Sequence, residues 1–183
     1  MVVQEAGHVK CLPYLVRGDD MKQGGSYANS SGGVLEGLVE FALTKKGFSV
    51  VRYKDWKLNP TSHGEELLLK NVPYEGLYKH ASATEFVLMS KAYSLHTRIE
   101  CKWQQVSGSV DEKLPYLFLN CSEKMLEPHI IILLDGGGAK QGAIEWLRDS
   151  CEKFNLREST TSKRRIDLMN MTEFVQWANT IFK

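Results

Sequence analysis

Thr84-Glu85-Phe86-Val87-Leu88-Met89-Ser90 and Thr97-Arg98-Ile99-Glu100-Cys101-Lys102-Trp103 are two short runs rich in β-branched, aromatic and aliphatic residues, joined by the segment Lys91 to His96. The pattern predicts an antiparallel hairpin. Side chains alternate along a strand, so Glu100 and Lys102, separated only by Cys101, project from the same face. Pairing across 91–96 brings Glu85 near the register of Glu100, and three ionisable groups then converge on one patch. Both acids sit where strands are being buried: Glu85 precedes the apolar run 86–89, and Ile99 and Cys101 flank Glu100. A buried carboxylate without a partner is costly, and one cation can satisfy two of them. Mg2+ suits this arrangement, because it takes oxygen ligands, keeps several waters and is held by one or two protein carboxylates. The lysine can orient or activate a water and offset charge building on a phosphate. The pattern therefore implies metal-assisted hydrolysis of a phosphodiester.

Upstream, Val34, Leu35, Leu38, Val39, Ala42 and Leu43 recur at helical spacing, with Ser31 as the expected cap and Gly47 as the stop signal. Segment 48–53 reads as a strand, followed by a polar loop through Trp56, Asn59, Pro60 and Gly64. A further strand covers 67–72, and Pro73, Tyr74, Gly76 and Tyr78 mark an irregular connection into the hairpin.

Downstream, Ser109 with Glu112 three places later is a capping-box signature for a helix continuing through Leu117, Phe118 and Cys121. Pro115 implies a kink in that helix or a delayed start. The continuous apolar run 130–134 reads as a strand buried on both faces. Gly136 to Gly138 end it, an amphipathic helix covers 143–154, a short apolar run follows at 166–169, and Thr172 caps a last helix over 173–182. This order predicts an α/β single domain with a central mixed β-sheet flanked by helices on both faces. Crowded Gly, Ser, Asn and Asp between positions 18 and 33 separate a flexible N-terminal arm, 1–30, from the domain, 31–183.

Hydrophobic residues make up 43% and charged residues 25% of the 183, both near the globular average, which excludes disordered and collagen-like architectures. Lys and Arg total 23 against 22 for Asp and Glu, a net charge of +1, so a nucleic-acid surface has to be a local patch. No apolar stretch approaches the ~20 residues of a bilayer span, and no signal-peptide core opens the chain; a cytoplasmic protein is expected. Cys11, Cys101, Cys121 and Cys151 lie far apart, with no C-x-x-C pair, and read as reduced, buried thiols.

The runs Ala83-Thr84-Glu85-Phe86-Val87-Leu88, Arg98-Ile99-Glu100-Cys101-Lys102-Trp103-Gln104 and Gly108-Ser109-Val110-Asp111-Glu112-Lys113 together resemble the PD-(D/E)XK nuclease superfamily, which includes restriction endonucleases and Holliday-junction resolvases. The likeness spans about 33–146, and its motif is short, so its specificity rests on arrangement more than on letters. It implies a restriction endonuclease-like core, with Glu85 as first acid, Glu100 as second, Lys102 as the lysine and the Cys101 carbonyl as an additional metal ligand. Glu36 in the opening helix resembles the acid that many members place beside the metal, with Glu40 one turn on as a substitute. Gln104 matches a polar position after the lysine, and Lys113 or Tyr116 is expected to face the scissile phosphate. The chain departs from the pattern in two ways: the first acid is Glu rather than Asp, and Ala83-Thr84 replaces a proline.

Other signals are weaker. The loop Asp135-Gly136-Gly137-Gly138-Ala139-Lys140-Gln141-Gly142 has the position of a phosphate-binding loop, but it lacks Gly-Lys-Ser/Thr and fails G-x-G-x-x-G at Gln141, so it reads as a plain strand-to-helix turn. Lys140 and the Lys163-Arg164-Arg165 run are expected DNA-backbone contacts. His8, His63, His80, His96 and His129 show no metal spacing. Tyr74, Tyr78 and Trp103 read as core or rim aromatics rather than base-stacking platforms, although the first two precede the site closely enough to matter. The expectation is a Mg2+-dependent deoxyribonuclease, an endonuclease by preference, with Mn2+ as the alternative ion. Cutting both strands of a duplex calls for two sites and hence a twofold homodimer. The other readings are a catalytically silent DNA- or partner-binding module of the same fold and a nucleotide-binding protein using the glycine loop.

Overall fold

Helix α1 (Tyr27–Thr44) sets Leu35, Val39 and Leu43 on one stripe, and all three are fully buried. The computed structural model that shows this describes residues 27–183 apart from 107 and 161, with backbone only for 27–32. The helix begins earlier than its apolar pattern, so Ser31 lies inside it rather than at its cap, and positions 1–26 of the expected arm lie outside the described residues, with Cys11 and His8. Gly47 then takes φ +92°, a left-handed value that favours glycine, and turns the chain into β1 (Ser49–Arg52). Helix α2 (Tyr53–Leu58) and a 3-10 turn (Pro60–His63) occupy the segment read as a loop. Neither buries a residue fully, so no apolar periodicity announced them.

Three strands follow as a meander, β2 (Glu66–Glu75), β3 (Ala81–Ser90) and β4 (Leu95–Trp103); β2 runs through Pro73, where a break was expected. The rest alternates: α3 (Val110–Glu123), β5 (His129–Asp135), α4 (Gln141–Glu158), β6 (Arg165–Met169) and α5 (Met171–Ile181). The six strands lie side by side in chain order. The β1–β2, β4–β5 and β5–β6 pairs are parallel, and the meander is antiparallel. This is the mixed sheet expected for the chain.

Helices cover both faces. On one, α1 and α5 pack Leu35, Val39, Phe174 and Phe182 against Leu68, Phe86, Leu88, Ile99, Ile131 and Leu133. On the other, α3 and α4 pack Leu114, Leu117, Leu147 and Phe154 against Ile130, Ile132 and Leu134. Residues 130–134 of β5 are buried on both sides, as their unbroken apolar run predicts. Each buried Leu, Ile or Phe contributes about 1.5–3 kcal/mol.

Two expected caps differ. Ser109 precedes α3 with near-helical backbone, ψ 8°, and its hydroxyl caps nothing, because an N-cap needs extended backbone to aim its oxygen at the first turn. Pro115 is accommodated inside α3. The last helix is capped not by Thr172 but by Asn170: its side chain accepts from the Glu173 amide at 2.9 Å, and the Glu173 carboxylate accepts from the Asn170 amide at 2.8 Å.

The sheet is irregular in its middle. The β2–β3 ladder pairs Lys70 with Phe86 and Val72 with Thr84 but skips Asn71 and Glu85, and Asn71 has φ +54°. On its other side β3 pairs with β4 only from Phe86–Ile99 to Ser90–Leu95, while β4 continues along β5 as far as Trp103–Asp135. The sheet therefore forks at Glu85.

Candidate active site

Past the fork the amide of Cys101 has no β3 carbonyl to reach, and it donates to Glu85 Oε2 at 2.9 Å instead. This bond draws the Glu85 carboxylate across the gap toward β4. Alternation on β4 puts Cys101 and Ile99 among the α1-side core residues, so Arg98, Glu100 and Lys102 face the α3 side. Lys102 Nζ lies 2.7 Å from Glu100 Oε1, 3.6 Å from Glu85 Oε1 and 3.1 Å from the Cys101 carbonyl oxygen. Three oxygens from two strands thus surround one cationic nitrogen.

Several groups fix this arrangement. The buried Thr84 hydroxyl donates to Glu100 Oε2, which occupies the carboxylate oxygen that Lys102 does not use. Two residues earlier on the same face, Arg98 forms a buried ion pair with Glu127 at 2.6 Å, reaches the Val72 carbonyl and lies over the Tyr74 ring. A cleft of about 210 Å3 opens above, bordered by Glu100 and Lys102 and, from α3, by Lys113 and Tyr116, with Tyr74 from β2.

The electrostatics follow from crowding. Burial raises the Glu85 carboxyl above its ordinary range and the charge of Glu100 raises it further, with Lys102 and the Cys101 amide opposing. Burial alone would lower Lys102, but Glu100 and Glu85 more than reverse that, and its ammonium is held above the usual lysine range. The Tyr74 hydroxyl is pushed up to about 12 by burial and by the charge of Glu100. The site is therefore an anionic pocket kept together by one internal cation.

Some expected residues come together here and others do not. Glu85, Glu100, Lys102 and the Cys101 carbonyl form the centre, and Lys113 and Tyr116 line its cleft. Glu36 stands on the α1 side, where its charge acts on the Cys101 thiol, and Glu40 is paired with Lys70. Among the described residues no three Asp, Glu, His or Cys side chains form a metal-holding group. The Gln104 side chain donates to the Val106 carbonyl at 2.6 Å, while its backbone ties β4 to Asp135 and Gly138. Lys140 pairs with Asp111 at the start of α3.

The basic run divides. Lys163 is exposed and Arg165 pairs with Asp167, whereas the Arg164 guanidinium donates to the carbonyls of Ser122, Cys121 and Met125 and so closes the end of α3. Cys101, Cys121 and Cys151 are free and buried, as expected. Thr84 was missed as a site residue, its one available signal being a hydroxyl next to the first acid, and Tyr74 was marked only as a rim aromatic close to the site.

A family model described as the PD-(D/E)XK nuclease superfamily domain matches residues 27–182, nearly the whole described chain. The chain belongs to the PD-(D/E)XK nuclease superfamily. Membership points to a nuclease, and such nucleases typically use divalent metals. Neither a curated protein nor a solved structure matches the chain significantly. In this PD-(D/E)XK chain the donor set fits a hard divalent cation: two carboxylate oxygens and one carbonyl oxygen already converge on a cationic nitrogen, and the pair of acids carries more negative charge than one ammonium offsets. No helix among the described residues is long and apolar enough to cross a membrane.

Proposed function

We propose that this protein is a Mg2+-dependent deoxyribonuclease, cutting DNA internally, in which Glu85, Glu100 and the Cys101 carbonyl hold the ion and Mn2+ can replace it. The observation that carries this reading is the convergence of those three oxygens on Lys102 Nζ within 3.6 Å. A bound divalent ion supplies Lewis-acid polarisation of the phosphate and acidifies water at neutral pH.

The chain's own groups do the rest. Cys101 N–H and the Thr84 hydroxyl hold one oxygen each of Glu85 and Glu100, so a cation that takes the other two displaces Lys102 Nζ and leaves the carboxylates in place. Lys102, kept charged by its neighbours, sets a positive charge beside the phosphate oxygen on which negative charge builds, and it orients the attacking water. Tyr74, Tyr116 and Lys113 wall the cleft, limit water and contact the backbone near the scissile bond. Glu36 offers a further carboxylate from the α1 side, and Gln104 braces the end of β4 through its backbone bonds. Lys140, Lys163 and Arg165 contact phosphates farther along the strand, while Arg164 acts through the helix end that it closes. Cleavage of both strands is assigned to a twofold pair of such sites.

The test is incubation of the purified chain with supercoiled, linear, branched and single-stranded DNA in Mg2+, Mn2+ or EDTA. Metal-dependent nicking of supercoiled DNA, lowered by at least about 100-fold in folded Glu100→Gln and Lys102→Ala, is the expected result. Binding without cleavage in every metal condition would replace this reading with that of a silent DNA-binding module.

A further inference from the structure

The turn between β2 and β3 carries two rings, Tyr78 and His80, that the hydrolytic centre does not use, and both lie against Tyr116 of α3, which lines its cleft. Tyr78 is 75% exposed and stacks on Tyr116, with ring centroids 5.2 Å apart and planes inclined by 26°. His80 lies nearly parallel to Tyr116 at 15°, and its Nε2 is 3.5 Å from the Tyr116 hydroxyl. Large aromatic rings left in water at a turn tip stabilise nothing by burial, so one Tyr face exposed above a stacked pair has the form of a landing surface.

This surface is held rigidly. The Leu77 amide donates to the buried Asn120 side chain at 2.9 Å, and the Asn120 amide group donates in turn to the Tyr116 carbonyl at 2.8 Å. The turn itself closes through Gly76–His80 and Lys79–Gly76 backbone bonds, with Lys79 at φ +59°. A Cβ on Gly76 would meet the His80 ring at 2.9 Å, so glycine is what lets that ring lie over the turn. Tyr116 is the link to chemistry, because the same ring that supports Tyr78 also lines the cleft of Glu100 and Lys102.

We infer that Tyr78, backed by Tyr116 and His80, is a stacking platform for an unpaired DNA base next to the scissile phosphate, and that the preferred substrate is single-stranded DNA or a single-stranded stretch within a duplex. This rests on the deoxyribonuclease reading for the phosphate's place, but not for the base contact. In a paired duplex the base faces are covered by their neighbours, whereas an unpaired base offers a π-face regardless of sequence. The exposed Lys79 beside the rings supplies charge for the adjoining phosphate.

The test is binding in EDTA, where no cleavage confuses it. Fluorescence anisotropy with a labelled single-stranded oligonucleotide and its matched duplex compares the full-length chain with Tyr78→Ala, Tyr78→Phe and Tyr78→Trp. Tighter binding of the single strand is expected, with a loss of about tenfold in Tyr78→Ala, retention in Phe and Trp, and duplex binding changed less than about twofold. 2-Aminopurine walked along the oligonucleotide should be quenched at one position by the wild type and not by Tyr78→Ala. Equal affinity for duplex and single strand, equal losses on both, or no loss would overturn the inference. Cleavage by the unaltered chain in Mg2+ is scored separately, so an inactive protein that still stacks a base would sink only the hydrolase reading.

Discussion

The Cys101 amide bonds to the Glu85 carboxylate at 2.9 Å where a regular sheet would give it a backbone carbonyl. A side chain thus completes the ladder, and the first acid is fixed by the same gap that exposes it. Glu85→Ala should remove both a cation ligand and the bridge across the fork. Cleavage is expected to fall more than about 100-fold while the far-ultraviolet circular dichroism stays unchanged. An Ala variant with ordinary turnover would show that Glu85 has only a structural part.

Lys102 is separable from the acids. Lys102→Ala should lower kcat by about 10²–10³, the usual cost of removing one preorganised charge from a transition state, with KM for DNA changed little. A rise in KM with unchanged kcat would instead make it a ground-state binding residue.

The strain between the two carboxylates can be read as stability. Burial and the charge of Glu100 raise the Glu85 carboxyl, so its ionised form costs stability in the folded chain, and Glu85→Gln, which removes that charge, should raise the melting temperature in EDTA by about 1–4 °C. Added Mg2+ should stabilise the wild type by mass action and leave Glu85→Gln almost unmoved. Differential scanning fluorimetry checks both signs.

Beneath the site, the Arg98–Glu127 pair is almost fully enclosed, with side chains 5% and 11% exposed. Arg98→Met should cost about 3–5 kcal/mol, because it leaves a buried carboxylate without its partner. Burial alone would raise the Glu127 carboxyl, but Arg98 outweighs it and the value is depressed. Its stabilisation is therefore fully present above the ordinary carboxylate range and lost as pH falls through the depressed folded value. Urea melts between about pH 3 and 7 should be shallower in pH dependence for Glu127→Gln than for the wild type.

The glycine loop gives a graded test. A Cβ on Gly136, already at φ +105°, would collide with the backbone of Gln104, whereas Gly137 at φ +75° has open space around it. Gly137→Ala should cost about 1 kcal/mol of backbone strain, and Gly136→Ala should cost more and shift the end of β4, lowering activity as well. Equal melting temperatures for the two variants would contradict this.

How much could be read from the letters differs by kind of signal. The β-branched, aromatic and aliphatic content of 97–103 and the unbroken 130–134 run identified strands, because residues packed into the middle of a sheet leave those signatures directly. Glu85, Glu100 and Lys102 were legible because three charges inside apolar runs conflict with local packing. The fork was not, since asparagine tolerates positive φ but a lone Asn71 in a strand-like run does not announce a broken ladder, and α2 was hidden because it buries nothing fully. Arg164 was misleading for a related reason: a basic triplet looks alike whether its middle member faces a phosphate or three carbonyls.

Strands laid side by side in the order of synthesis have a kinetic corollary. The two acids and the lysine belong to one hairpin, so their meeting needs only a short loop closure rather than a long-range search. The carboxylates can meet before the C-terminal half docks, and a divalent ion that holds them should then speed refolding as well as steady the finished protein.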